Sequence, residues 1–168
     1  MTEAEFREAF HCHQSVVYRF AYRMTGSGAA AEDVVQDCFV AFWRKPEGYR
    51  PHRGTLRAYL LGVARNLVLK RWRGERQHEA IEDWTDDEAF ICGPLDLAAQ
   101  ERAEAVRQAV LLLPPLQREA LILAEYEELS LEEIAAATRA EVAAVKSRLH
   151  RARGNLKQML SPLFAVQR

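Results

Sequence analysis

Apolar positions in this chain recur at three- and four-residue steps, which is the helical period. No segment combines β-branched alternation with hairpin turn residues, so an all-α fold is expected. A first helix is predicted from about Glu3 to Met24, opened by a Thr2-x-x-Glu5 capping box and ended by Gly26-Ser27-Gly28. Its core face is Phe6, Phe10, Val17, Phe20, Ala21 and Met24. A second helix starts near Ala30, with Glu32 and Asp33 in the first turn, where the helix dipole favours anions. Val34, Val35, Cys38, Phe39 and Phe42 line its buried face, and Pro46-Glu47-Gly48 closes it. After a basic loop, Tyr49 to Gly54, a third helix is expected over about Leu56 to Arg73. It buries Leu60, Val63, Ala64 and Leu67, with Leu61 at the margin. Its other side carries Arg57, Arg65, Lys70, Arg71 and Arg73, interleaved with Tyr59 and Trp72.

From Gly74 to about Leu95 the periodicity is lost, and Ile81, Trp84, Phe90 and Ile91 stand isolated among acids. Periodicity resumes from Asp96 to Leu113, Pro114-Pro115 breaks it, and a further helix follows over about Leu116 to Glu128. Then come two short helices joined by a tight turn. Ser130 and Glu133 form a second capping box, and Leu131, Ile134 and Ala135 face inward. Val142, Val145, Leu149, Ala152 and Leu156 make one stripe on the last helix. Lys146, Ser147, His150 and Arg151 lie opposite, flanked by Arg148 and Arg153. Such a helix suits a DNA major groove; taken alone, it also fits a solvated basic helix in an ordinary bundle. The expected organisation is two small helical domains, 1–74 and 96–168, joined by a flexible acidic linker, 75–95.

The formal net charge of −1 over 168 residues conceals segregation. Between Arg44 and Arg76 the only acids are Glu47 and Glu75, and from Arg139 to Arg168 the only acid is Glu141. Between these blocks lie Glu79, Glu82, Asp83, Asp86, Asp87 and Glu88. Two basic blocks around an acidic one indicate two polyanion-binding modules and a repelling connector. Cys12, Cys38 and Cys92 show no C-x-x-C spacing and fit no disulfide framework. Cys38 on an apolar stripe reads as a small buried hydrophobe. Adjacent helical residues point about 100° apart, so His11, Cys12 and His13 cannot converge on one ion, and no metal or cofactor is expected. No glycine-rich phosphate loop, zincin motif or nucleophile constellation supports catalysis, so the chain is not expected to be an enzyme. No apolar run approaches the roughly 18 to 20 residues of a membrane span, and MTEAEFREAF is acidic and unlike a signal peptide. The expected compartment is the cytoplasm, without membrane insertion.

Three separated segments together resemble a group 4, extracytoplasmic-function (ECF) sigma factor of bacterial RNA polymerase. Ala31-Glu32-Asp33-Val34-Val35-Gln36-Asp37-Cys38-Phe39, followed by Phe42-Trp43, resembles the region 2.2 pattern. Leu60-Leu61-Gly62-Val63-Ala64-Arg65-Asn66-Leu67 resembles the segment of regions 2.3 and 2.4. Leu113-Pro114-Pro115-Leu116-Gln117-Arg118-Glu119, Leu129 to Ala135, and Val145 to Arg153 together resemble region 4. The chain departs from the family where Lys70 replaces a usual Asp, Tyr59 a usual Trp, Arg139 a frequent turn Gly, and Ala143-Ala144 a usual Gly-Thr.

The resemblance implies an initiation factor that brings core RNA polymerase, through its clamp coiled coil and flap regions, to promoter DNA. Asp33, Gln36 and Asp37 match the family's polymerase contacts, and they share one helix face at i, i+3, i+4 spacing. Arg53, Arg57, Tyr59, Arg65, Asn66, Lys70, Arg71 and Arg73 would bind the −10 element as it melts, by charge and by contact with unstacked bases. For Tyr59, core packing is an equal alternative. In the −35 duplex, Lys146, His150 and Arg151 would meet base edges, and Ser147, Arg148 and Arg153 phosphates. Resemblance also implies an anti-sigma factor partner. The alternatives are a stand-alone helix-turn-helix regulator and a sigma mimic that sequesters an anti-sigma factor. The first leaves the Asp33-Gln36-Asp37 face without a role; the second usually carries a receiver domain, for which this chain has no length.

Overall fold

The computed structural model describes residues 1–75 and 102–165. They form helices α1 (Glu3–Thr25), α2 (Gly28–Arg44), α3 (Leu56–Glu75), α4 (Arg102–Leu112), α5 (Pro115–Leu121), α6 (Leu131–Thr138) and α7 (Val142–Ala165). The expected linker beyond residue 75, Cys92 and the expected helix start at Asp96 lie outside the described residues.

The capping signals act as the sequence implies. At α1, Glu5 N–H donates to the Thr2 hydroxyl at 3.2 Å and Thr2 N–H to the Glu5 carboxylate at 2.6 Å, so two orphan donors are satisfied reciprocally. Gly26, at φ 69°, ends the helix in the left-handed conformation that glycine adopts without a Cβ clash. One turn differs from expectation. α2 begins at Gly28, where the Ser27 hydroxyl accepts from Ala30 N–H at 3.2 Å. Glu32 and Asp33 therefore fall in the second turn, beyond most of the dipole's reach.

α1, α2 and α3 enclose the first core: Val17, Phe20, Ala21 and Met24 against Val34, Cys38, Phe42, Leu60, Leu61 and Ala64. Each large side chain so buried contributes about 1.5–3 kcal/mol relative to exposure. Phe6 and Phe10 are only partly buried; Phe6 meets Trp43 and Phe10 meets Phe39, each at 4.9 Å between ring centroids. This core is continuous with the part that joins Ala120, Leu121 and Ile122 to Ile134, Val145, Leu149 and Ala152.

The helix expected over Leu116 to Glu128 is interrupted. It opens with Pro115, whose fixed φ suits a first helical position. At Ile122–Tyr126 it widens to a π turn, with Glu127 N–H donating to the Ile122 carbonyl at 3.1 Å. Glu128 then takes a positive φ of 54° and leads into the Ser130 cap. α7 continues past Leu156 to Ala165, and the extension buries Met159 and Leu160.

The two helical units are packed face to face. α3 lies against α2 on one side and α6 on the other, while α1 touches α4 and α5. Arg118 of α5 reaches across to the Met24 carbonyl at 2.6 Å and also holds the Leu113 carbonyl at 2.9 Å.

Candidate nucleic-acid interface

The α6–α7 pair has helix-turn-helix geometry. Ser130 and Glu133 close the capping box at 3.1 and 2.8 Å, which fixes where α6 starts. Arg139 ends it at φ 53°, ψ 41°, so the arginine at this turn adopts the left-handed conformation that glycine takes more cheaply. α7 then opens with no hydroxyl at Ala143 or Ala144; its first turn is closed by Val145 N–H to the Glu141 carbonyl at 3.1 Å. Val145, Leu149 and Ala152 are buried, so α7 is fixed by its apolar stripe. Lys146, His150, Arg151 and Arg153 are exposed on the other side, and Ser147 and Arg148 are half-buried. Arg153 is paired with Glu125 at 2.6 Å.

The cations of α3 are placed differently. Arg65, 8% exposed, makes a bidentate pair with the wholly buried Glu119: Nε donates at 2.7 Å and Nη2 at 3.0 Å. Arg57 donates to both the carboxylate and the carbonyl of Glu127 at 2.6 Å. Arg71 lies 3.3 Å from Asp33, so two residues expected on different interfaces, DNA and polymerase, touch each other. Arg53, Lys70 and Arg73 are exposed, and Tyr59 and Asn66 are half-buried.

Tyr59 both packs and faces a cleft. Its ring lies 6.2 Å from Phe42 and 5.7 Å from Tyr49, and burial pushes its phenol above the ordinary range. A Cβ at Gly48 would come within 2.6 Å of its hydroxyl, so glycine leaves that hydroxyl room. With Arg50, Arg53, Asn66, Glu133 and Arg139 it lines a cleft of about 460 Å³ between the 49–54 loop and α6.

On α2, Asp33, Gln36 and Asp37 are all exposed, opposite buried Val34, Cys38 and Phe42. Val40 and Trp43 are exposed beside them, at 41% and 47%. Sequence reasoning singled out neither as a contact, although both lie in the Ala30 to Trp43 segment that the resemblance assigns to polymerase docking. It also missed Glu119 and Glu127, whose partners lie 54 and 70 residues away. Burial pushes the Cys38 thiol up to about 12, and Cys12 is exposed. His13 is held below the usual histidine range, first by burial and then by the Arg57 charge. Among the described residues no group of His, Cys, Asp and Glu could hold a metal ion, and no helix is long and apolar enough to cross a membrane.

Fold and faces together define a two-unit helical protein with a helix-turn-helix in one unit and a second basic helix in the other. Residues 9–78 match Sigma-70 region 2 and residues 103–156 match Sigma-70 region 4. The chain is 31% identical to the ECF RNA polymerase sigma factor SigL of Mycobacterium tuberculosis, over 95% of this chain and 91% of that one. It is 37% identical to SigE of Mycolicibacterium smegmatis over 89% of its length, but spans only 59% of that relative. Among solved structures it resembles the sigma factor RpoE in complex with the anti-sigma factor NepR from Bartonella quintana, with a TM-score of 0.74 and 25% identity over 94% of this chain and 97% of that one. CnrH, in complex with the cytosolic domain of CnrY, shares the fold, with a TM-score of 0.70 and 24% identity over 96% and 90% of the two chains. The chain belongs to the ECF RNA polymerase sigma factors, a family of transcription-initiation factors.

Proposed function

We propose that this chain directs core RNA polymerase to promoters from the cytoplasm, through two DNA-reading units and without catalysis of its own. In this reading residues 1–74 dock on the polymerase and take the −10 element, 75–95 connect, and 96–168 read the −35 element. The observation that carries it is the α7 face: Lys146, His150 and Arg151 stand exposed on a helix pinned by buried Val145, Leu149 and Ala152. A helix so held fits the major groove, where side chains distinguish base pairs.

Asp33, Gln36 and Asp37 offer carboxylates and an amide to an arginine-rich helical partner, which suits the polymerase clamp coiled coil. The polymerase flap is the corresponding partner of the second unit. The exposed Arg53, Lys70 and Arg73 track the −10 backbone, with Tyr59 and Asn66 beside them for unstacked bases. An anti-sigma factor is the expected regulator, since the sigma factor RpoE of Bartonella quintana was solved in complex with one. In vitro transcription with core polymerase on genomic fragments tests the reading. Promoter-specific transcripts should appear only when this chain is added; their absence with active core would overturn it.

A further inference from the structure

Two of the cations assigned above to the −10 element are occupied by buried carboxylates of the region 4 unit, and a third, Arg71, meets exposed Asp33 of its own unit. Arg65 is covered, its guanidinium held through Nε and Nη2 by Glu119, with side chains 9% and 0% exposed. Arg57 is held by Glu127, whose side chain is 1% exposed and also lies 3.7 Å from Arg23. Between these two pairs along α3, Gly62 faces the α6 backbone: a Cβ there would lie 3.5 Å from the Ala137 Cα and 3.7 Å from its Cβ. Both acids belong to the region 4 unit and both arginines to the region 2 unit.

We propose that this packing is a closed, self-inhibited state in which Glu119 and Glu127 take the place of promoter phosphates on Arg65 and Arg57. The inference rests on the function proposed above. Buried ion pairs hold two surfaces together weakly, because desolvation offsets much of their attraction. They suit a reversible contact for that reason: on opening, water solvates the carboxylates and DNA phosphate takes the arginines. The closed state blocks one DNA face only. Lys146, His150 and Arg151 remain exposed, so the free chain engages a −35 duplex without opening and takes −10 DNA only after opening. Apparent −10 affinity is then the intrinsic affinity scaled by the open fraction.

Two variants of the full chain test this. The hypothetical 3.7 Å Cβ separation lies in the disulfide range, so Gly62→Cys with Ala137→Cys forms a reversible lock. Oxidised, it should lose binding to a fork-junction −10 DNA from a mapped promoter and lose transcription, keep −35 duplex binding, and recover on reduction. The single cysteine variants control for Cys12. Glu119→Gln with Glu127→Gln should enlarge the radius of gyration in solution scattering and tighten −10 binding by the free chain about tenfold. Should the oxidised lock transcribe as well as the reduced form, the closed state is not inhibitory. Should the glutamine variant scatter and bind as the wild type does, or Glu127→Gln alone do so where the double variant fails to fold, the carboxylates are not the latch. A wild type that gives no transcript with active core sinks the sigma-factor reading instead, and the scattering result still decides the latch.

Discussion

α3 and α7 carry similar numbers of arginines and lysines, yet the structure holds them in opposite states. On α7 one stripe is buried and Lys146, His150, Arg151 and Arg153 lie exposed on the other side, Arg153 against Glu125. On α3 both flanks are covered, by α2 and by α6, and Arg65 is buried with a buried carboxylate as partner. Basic sequence alone therefore does not make a DNA-ready surface. What decides is whether the opposing element brings acids to the same place.

The sharpest way to break this contrast is Arg65→Ala. It strands the buried Glu119 charge, so the packing of the two units should give way and solution scattering should show a larger radius of gyration. Arg65→Leu with Glu119→Leu should keep the compact form, because removing both charges removes the desolvation cost. Next comes Leu149→Ala, which leaves a cavity under α7 and should cost about 2–5 kcal/mol in urea denaturation. Arg151→Ala on the exposed face of the same helix should change stability by less than about 0.5 kcal/mol. It should nevertheless lose about 1–3 kcal/mol of discrimination at one −35 position; uniform weakening across −35 variants would reassign it to phosphate. Ser130→Ala removes the α6 cap and should cost about 1 kcal/mol. Smallest of all, Arg139→Gly should stabilise by up to about 1 kcal/mol in the same assay, because glycine enters the left-handed region without the Cβ clash. A thiol reagent at pH 8 should label Cys12 in the native protein and spare Cys38, since burial keeps the Cys38 thiol protonated. Cys38 also makes the fold less stable as pH rises past 9.0, where the unfolded thiol ionises and the folded one does not.

Local chemistry was legible in the sequence. Both capping boxes, the burial of Cys38 and the middle of the α7 stripe follow from spacings of three and four residues, and the structure realises them, with Val142 and Leu156 at the stripe's ends only partly buried. At Arg139, where the family often has glycine, the sequence left a looser turn and a left-handed residue both open, and the structure has the second. Features set by distant partners were not legible. Arg65 projects onto the same face of α3 as the buried Leu61, Val68 and Leu69, and only Glu119, 54 residues away, explains how a guanidinium is held there. α3 itself is hard to read as amphipathic because two layers cover it. The start of α2 at Gly28 was missed because Ser27, read as part of a helix end, caps the next helix.

The π turn at Ile122–Tyr126 has a consequence for length variation. Such a turn holds one residue more than an α-helical turn, and each residue in a helix sets about 100° of rotation. The segment therefore absorbs one extra residue between α5 and the helix-turn-helix without an added α step of rotation. Deleting one residue within it would let the ladder return to α pitch and leave everything downstream near its present angle relative to Glu119. A single-residue deletion there should be tolerated far better than one in the middle of α7.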